Sequence, residues 1–326
     1  MIQKIKLYES KCFDPHWNLA TEQYLMETVE EDACILFLWQ NQNTVVIGKN
    51  QNAWKECRTA LLSEEGVTLA RRLSGGGAVF HDLGNLNFTF LMPQAEYDLD
   101  RQFAVIAEAI RLLGLEAVRS GRNDMLIDGR KFSGNAFYKN GHQAYHHGTL
   151  LVDVDMSKMS RYLNPSKAKL QAKGVDSVRS RVVNIKELNP SITIECMKDA
   201  MKAAFATIYG LPCAEFDDSM LDQQVIEALA KRNATWEWNY GQRLPFSVEF
   251  EERFAWGGLQ ICLQIENGLI RSANVYSDAM DWSIAPQLEQ LLTGCRFAKE
   301  ALVARVQGFE SEFTDSICQW LANQDI

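Results

Sequence analysis

Two hydrophobic periods alternate along the chain. Polar and apolar residues alternate from Met1 to Tyr8 as in a half-buried strand, and compact apolar runs at 34–39, 44–47 and 86–91 predict three more strands. Asp14-Pro15 opens a helix with a capping side chain and a proline at the first helical position. Along it Leu19, Glu22, Leu25 and Met26 share one face at three- and four-residue spacing, so the Glu22 carboxylate either borders the core or walls a pocket. The segment 53–63 reads as a helix leading into an apolar stretch at Val67 and Leu69, and 99–113 as a helix that stops at Gly114. Further helices are expected at 192–209 and 220–231, followed by the aromatic patch Trp236-Glu237-Trp238-Asn239-Tyr240. The pattern changes around Pro245: runs at 254–265 and 269–276 flank Asn267-Gly268 as a hairpin, and helical stretches follow at 286–292 and 297–322. This tail predicts a separate α/β domain, dividing the chain into 1–245 and 246–326.

The middle of the chain allows a register to be worked out. Asp128-Gly129 and Asn140-Gly141 are two-residue hairpin signals and predict a meander of strands at 124–127, 130–139 and 142–153. A two-residue turn at 128–129 sets Leu126 opposite Lys131 and Asp124 opposite Ser133. Asp124, Leu126, Lys131 and Ser133 then share one face, with Asp124 and Lys131 as diagonal neighbours. Carried through the second turn, the count sets His146 opposite Asn135 on that face and His147 on the other. A single bulge would exchange the two histidines.

One stretch breaks both periods: Arg71-Arg72-Leu73-Ser74-Gly75-Gly76-Gly77-Ala78-Val79-Phe80-His81. Consecutive glycines between apolar runs mark either a loose turn or a backbone that a ligand can approach closely, with N–H groups free for an anion. Two arginines at its start favour the anion, although the stretch fits neither common phosphate-loop fingerprint. A second cationic stretch, 167–181, holds Lys167, Lys169, Lys173, Arg179 and Arg181 against Asp176 alone. That is unusual in a chain of net charge −9, a balance that argues against broad nucleic-acid binding. Eight cysteines without C-x-x-C spacing point to reduced thiols rather than a zinc site or disulfide framework, and no apolar run approaches bilayer length. A cytoplasmic protein without membrane contact is expected.

Taken together, these blocks resemble the lipoate–protein ligase A family of biotin/lipoyl ligases. The blocks are Arg71-Arg72-x-Ser74-Gly75-Gly76-Gly77-Ala78-Val79-Phe80-His81-Asp82-x-Gly84-Asn85, Gly121-Arg122-Asn123-Asp124, Lys131-x-Ser133-Gly134, His146-His147-Gly148-Thr149, and Ala172-Lys173-Gly174 with Ser177-Val178-Arg179-Ser180-Arg181. The resemblance implies an α/β (α+β) fold, with mixed sheets flanked by helices and a small C-terminal accessory domain. It implies a reaction in which lipoate and Mg·ATP give lipoyl-adenylate and pyrophosphate. The lipoyl group then passes to a lysine on carrier domains of 2-oxoacid dehydrogenases or of the glycine-cleavage carrier protein, by a monomeric enzyme. On the same footing, Arg72, Gly77, Ala78, Val79, Phe80 and Lys131 are assigned to the nucleotide. Lys131, Arg71, Ser74, Gly75, Gly76, His81 and His147 are assigned to lipoate, and Lys173, Ser177 and Arg181 to a loop over the adenylate. Lys131 is the expected catalytic cation, and Asp124 either orients it or binds Mg2+. Two rivals share this frame: an acyltransferase working through a cysteine thioester, and a non-catalytic binder of lipoate or carrier. No cysteine lies between Cys57 and Cys196, the span that holds every motif, which counts against the thioester.

Overall fold

The computed structural model describes residues 1–121, 123–164, 182–241 and 248–324. The expectations placed on Lys173, Ser177 and Arg181, and the linker around Pro245, lie outside the described residues. Strands β1 (Lys4–Glu9), β2 (Ala33–Trp39), β6 (Asn85–Pro93), β7 (Val118–Ser120), β8 (Asp124–Ile127), β9 (Arg130–Lys139), β10 (Gln143–Leu151) and β11 (Cys213–Phe216) form one mixed sheet in the order β11-β1-β2-β6-β10-β9-β8-β7. A second sheet, β4-β3-β5, joins β3 (Thr44–Ile47), β4 (Thr68–Arg71) and β5 (Val79–His81). The third, antiparallel, orders β12 (Val248–Phe254), β13 (Gly257–Glu266) and β14 (Leu269–Ser277) within the C-terminal region.

Strand alternation makes the large sheet two-faced. On β6, Leu86, Phe88, Phe90 and Met92 point into an apolar core closed by the helices Leu99–Leu112 and Ile194–Tyr209. Asn85, Asn87 and Thr89 point the other way and are buried as well. The helix Pro15–Thr28 packs beside that second face, its first turn capped by Asp14 Oδ1 accepting from Trp17 N at 2.9 Å. The tail builds its own core, from Leu259 and Ile261 to Trp320 and Leu321.

Two predicted helices are each broken in two. The segment 53–63 becomes Ala53–Glu56 and Thr59–Glu64, because Cys57 is extended and bridges Leu163. The segment 297–322 becomes Lys299–Gln307 and Thr314–Ala322, because Phe309 and Phe313 both turn into the core between them. Strand β12 escaped the sequence pattern; most of its side chains are exposed or half-exposed, so apolar alternation is weak.

The meander register also differs. The first hairpin begins as counted, with Ile127 opposite Arg130 and Leu126 opposite Lys131, but the pairing slips between Met125 and Leu126. Ser133 therefore faces Met125, and Asp124 faces Gly134. The slip buries Phe132 with Met125 and Ile127 in the core, and it removes Ser133 from the predicted face: Ser133 is fully buried and accepts from Asn135 Nδ2. The second turn is longer than two residues, since the Asn140 carboxamide accepts from the amides of His142 and Gln143. His146 thus lies opposite Phe137 instead of Asn135, a two-residue shift that by itself keeps the faces. The two histidines exchange faces because the slip in the first hairpin brings Gly134 and Ala136 into phase with Lys131, and His147 lies opposite Ala136.

Candidate active site

Four adjacent strands of the large sheet, β2, β6, β10 and β9, present side chains to one cavity. Trp39 pairs with Asn87 and Asn87 with Thr149, while Thr89 pairs with His147 and His147 with Ala136. Trp39, Asn87, Thr149, His147 and Ala136 from these rows, Leu19 from the first helix, and Gly76–Val79 with Arg72 and His81 from the small sheet and its glycine bend line a cavity of about 660 Å³. Its other walls are Asn123, Asp124, Lys131 and Gly134, together with Arg253, Trp256, Asp278 and Met280 from the C-terminal region.

The two arginines that open the glycine stretch hold structure. Arg71 donates to the carbonyls of Gly48, Lys49, Gln51, Trp238 and Asn239, so it clamps the 48–51 turn onto the Trp-x-Trp helix and does not line the cavity. Arg72 is buried and lines the cavity. Its guanidinium donates to the carbonyls of Val46, Gly75 and Gly77 and to Ser74 Oγ, fixing the bend. Burial lowers both guanidinium pKa values to about 10, leaving both charged at neutral pH.

The three glycines differ in what they meet. A Cβ on Gly75 would collide with the carbonyl oxygens of Ala279 and Met280. Gly76 has φ +86° and its amide donates to Ala279 O at 3.1 Å. Gly77 has nothing within 4 Å of a Cβ position and faces open space. Gly75 and Gly76 thus seat the C-terminal region, and Gly77, with Ala78 and Val79, edges the cavity. Phe80 points away from it, into the core with Val45 and Tyr162.

Lys131 lies over Gly134, where a Cβ would sit 2.9 Å from Nζ, and pairs with Asp124 Oδ1 at 2.6 Å. Both side chains are about one-third exposed, at 33% and 37%. This is the diagonal pair that the hairpin count expected, reached through a slipped register. Lys131 is also tied to the chain beyond 181, since Val183 N donates to Lys131 O at 2.9 Å.

At the inner end, a buried polar chain runs behind the cavity wall. Trp39 Nε1 donates to Thr89 Oγ1, which donates to Glu22 Oε1 at 2.7 Å. The same carboxylate oxygen meets His147 Nδ1 at 2.8 Å, and His147 Nε2 meets Ser74 Oγ at 2.8 Å. With Nδ1–H donating to the carboxylate, Nε2 accepts from the Ser74 hydroxyl, whose oxygen accepts from Arg72 Nε. Glu22, left open between core and pocket by its sequence, is buried and orients His147. Ser74 is fully buried and does not reach the cavity; His147 does. His81 also lines it. Burial, then the nearby charge of Arg72, lowers its pKa to about 3, so the ring is neutral. Its Nδ1 accepts from Asn41 Nδ2, and among the described residues its Nε2 has no partner. His146, by contrast, is sealed among Phe88, Phe90, Phe103 and Phe137, with Gln102 and Asn135 on its nitrogens.

Sequence reasoning missed the far wall altogether. Arg253, Trp256, Asp278 and Met280 carry no motif, and only the docking of the C-terminal region on the glycine bend brings them here. Trp39 and Asn87 were also missed. Their signal was position: alternate residues on the same strands as the predicted core run.

The family described as Lipoyl protein ligase A/B catalytic domain matches residues 14–206, and Bacterial lipoate protein ligase C-terminus matches residues 244–321. The chain belongs to the lipoate–protein ligase A family. It is 39% identical to Lipoate-protein ligase A of Psychrobacter cryohalolentis over 98% of this chain and 99% of the relative. The solved structure of P. falciparum LipL1 in complex with lipoate is 28% identical, covers 98% of this chain and 99% of its own, and superposes with TM-score 0.86. A lipoate-protein ligase A bound with ATP is 25% identical over 74% of this chain and 99% of its own, at TM-score 0.63. Among the described residues no helix is long and apolar enough to cross a membrane.

Proposed function

We propose that the protein activates free lipoate with ATP to lipoyl-adenylate and transfers the lipoyl group to a lysine of a lipoyl carrier domain. One observation carries the reading: a single cavity runs from the Leu19 and Trp39 wall, past Gly77, to the ammonium of Lys131. An apolar chain fits the first end, and a carboxylate and a phosphate can meet at the second. In the first step a carboxylate oxygen bonds to the α-phosphorus, the α–β phosphoanhydride breaks, and pyrophosphate leaves. In the second, the carrier lysine's amine bonds to the acyl carbon, losing a proton as AMP departs.

Two anions must approach within bonding distance in the first step. A preorganised cation between them offsets their repulsion and stabilises the charge that builds, an effect of about 3 kcal/mol per donor. Lys131 takes that role, held by Asp124 until substrate arrives. A magnesium ion brought by the nucleotide would neutralise its phosphates. Such an ion takes one or two carboxylates plus phosphate oxygens rather than a full protein cage, and Asp124 on the cavity wall fits that donor set. Arg72, through the bend it holds, Gly77–Val79, His81 and His147 shape the acyl and nucleotide path. The domains are proposed to divide near residue 245, and 2-oxoacid dehydrogenase and glycine-cleavage carriers are the proposed acceptors.

The test is isotope exchange of pyrophosphate into ATP, with and without lipoate. Lipoate-dependent exchange is expected. Its absence from folded protein that binds lipoate would leave a carrier-binding or thioester route instead.

A further inference from the structure

Three cationic side chains line the cavity among the described residues: Arg72, Lys131 and Arg253. They are held in two ways. Arg72 is committed to backbone carbonyls and Ser74. Lys131 and Arg253 are each held by one carboxylate, Asp124 at 2.6 Å and Asp278 at 2.7 Å. A carboxylate partner can be exchanged for a phosphate without unfolding anything; a set of backbone carbonyls cannot.

Arg253 is built into place. It is the penultimate residue of β12, opposite Gly258, whose missing Cβ leaves room for the guanidinium: a Cβ there would lie 3.1 Å from Nη1. Asp278, only 8% exposed, accepts from Arg253 Nη1 and from Gly258 N, so it stays fixed if the arginine turns away. The next residue, Ala279, accepts from Gly76 N, and Met280 Sδ lies 3.8 Å from Asn123 Nδ2. Asn123 precedes Asp124. A continuous line of contacts therefore runs from Arg253 through Asp278, Ala279, Met280 and Asn123 to the Asp124–Lys131 pair. The two ion pairs face the same space.

Resting on the activity proposed above, we infer that Arg253 is a second phosphate-binding cation, which leaves Asp278 to bind the β- and γ-phosphates of the nucleotide while Lys131 serves the carboxylate and α-phosphate. A triphosphate carries more negative charge than one lysine balances, and a guanidinium binds adjacent phosphate oxygens with a two-pronged fork. The leaving group of the first step is pyrophosphate, so Arg253 acts on activation alone. Transfer from lipoyl-adenylate, which has lost those phosphates, does not need it.

The experiment uses the full-length protein and separates the two half-reactions. Arg253→Ala is expected to lower lipoate-dependent pyrophosphate exchange by about tenfold or more, with a raised KM for ATP and an unchanged KM for lipoate. Transfer of chemically made lipoyl-adenylate to a carrier domain should stay within about twofold of wild type, and Arg253→Lys should recover part of the exchange. Exchange by Arg253→Ala at the wild-type rate overturns the assignment. So does an equal loss in both half-reactions, which would mean that the residue only supports the fold. Absence of exchange in the wild type would instead retire the underlying activity, and with it this role.

Discussion

Arg72 and Lys131 line one cavity and carry the same charge, but they are held by opposite means. The glycine bend is a closed circuit: Arg72 meets Val46, Ser74, Gly75 and Gly77, and Arg71 meets five carbonyls behind it. The Lys131 strand is an open one, a single ion pair at a position about one-third exposed. The first arrangement shapes space and the second leaves a cation available. A basic residue inside a ligand motif is therefore assigned by counting its acceptors, and the count divides this site into frame and instrument.

The largest expected effect tests the frame. Arg72→Met removes the guanidinium donors from Val46, Ser74, Gly75 and Gly77, the first three of them buried, and unsatisfied buried acceptors cost about 1–3 kcal/mol each where they cannot relax. Unfolding in urea should show a loss of about 3 kcal/mol or more, with lipoate binding lost as well. A stable Arg72→Met protein that merely binds ATP weakly would move Arg72 from frame to instrument.

A smaller effect separates the glycines. Gly75→Ala should push the C-terminal region off the bend, because the new Cβ meets backbone carbonyls that cannot step aside. Limited proteolysis and exchange activity report this together, and the activity should fall by about tenfold or more. Gly77→Ala meets nothing within 4 Å, so stability should change by less than about 0.5 kcal/mol while the KM for lipoate or ATP rises. Equal behaviour of the two variants would erase the distinction between seat and cavity edge.

Much of this division was legible in the residues, and the rest was hidden for physical reasons. Asp14-Pro15, the 44–47 strand and the Asp128-Gly129 turn are local signals, and each element formed where its chemistry required. The Asp124–Lys131 pair was reachable by counting from that turn, because long side chains tolerate a one-residue slip. Ser133 was not: its face depends on the slip that buries Phe132, a demand of the core that no turn signal carries. The histidine exchange has the same cause, since that slip brings Ala136, and His147 opposite it, onto the Lys131 face. Arg71 and Arg72 look alike in sequence; only the carbonyls around them, contributed by residues up to 168 positions away, tell them apart. The Arg253 wall has no local signature because it is made by docking.

The central claim is that the cation available to substrate is the one held by a lone carboxylate. The direct measurement is lipoate-dependent pyrophosphate exchange by Lys131→Ala, alongside its urea unfolding. The account predicts a loss of about a hundredfold or more in exchange, with stability within about 1 kcal/mol of wild type, since a partly exposed ion pair contributes little to folding. Exchange within a few-fold of wild type from a folded Lys131→Ala protein would contradict it.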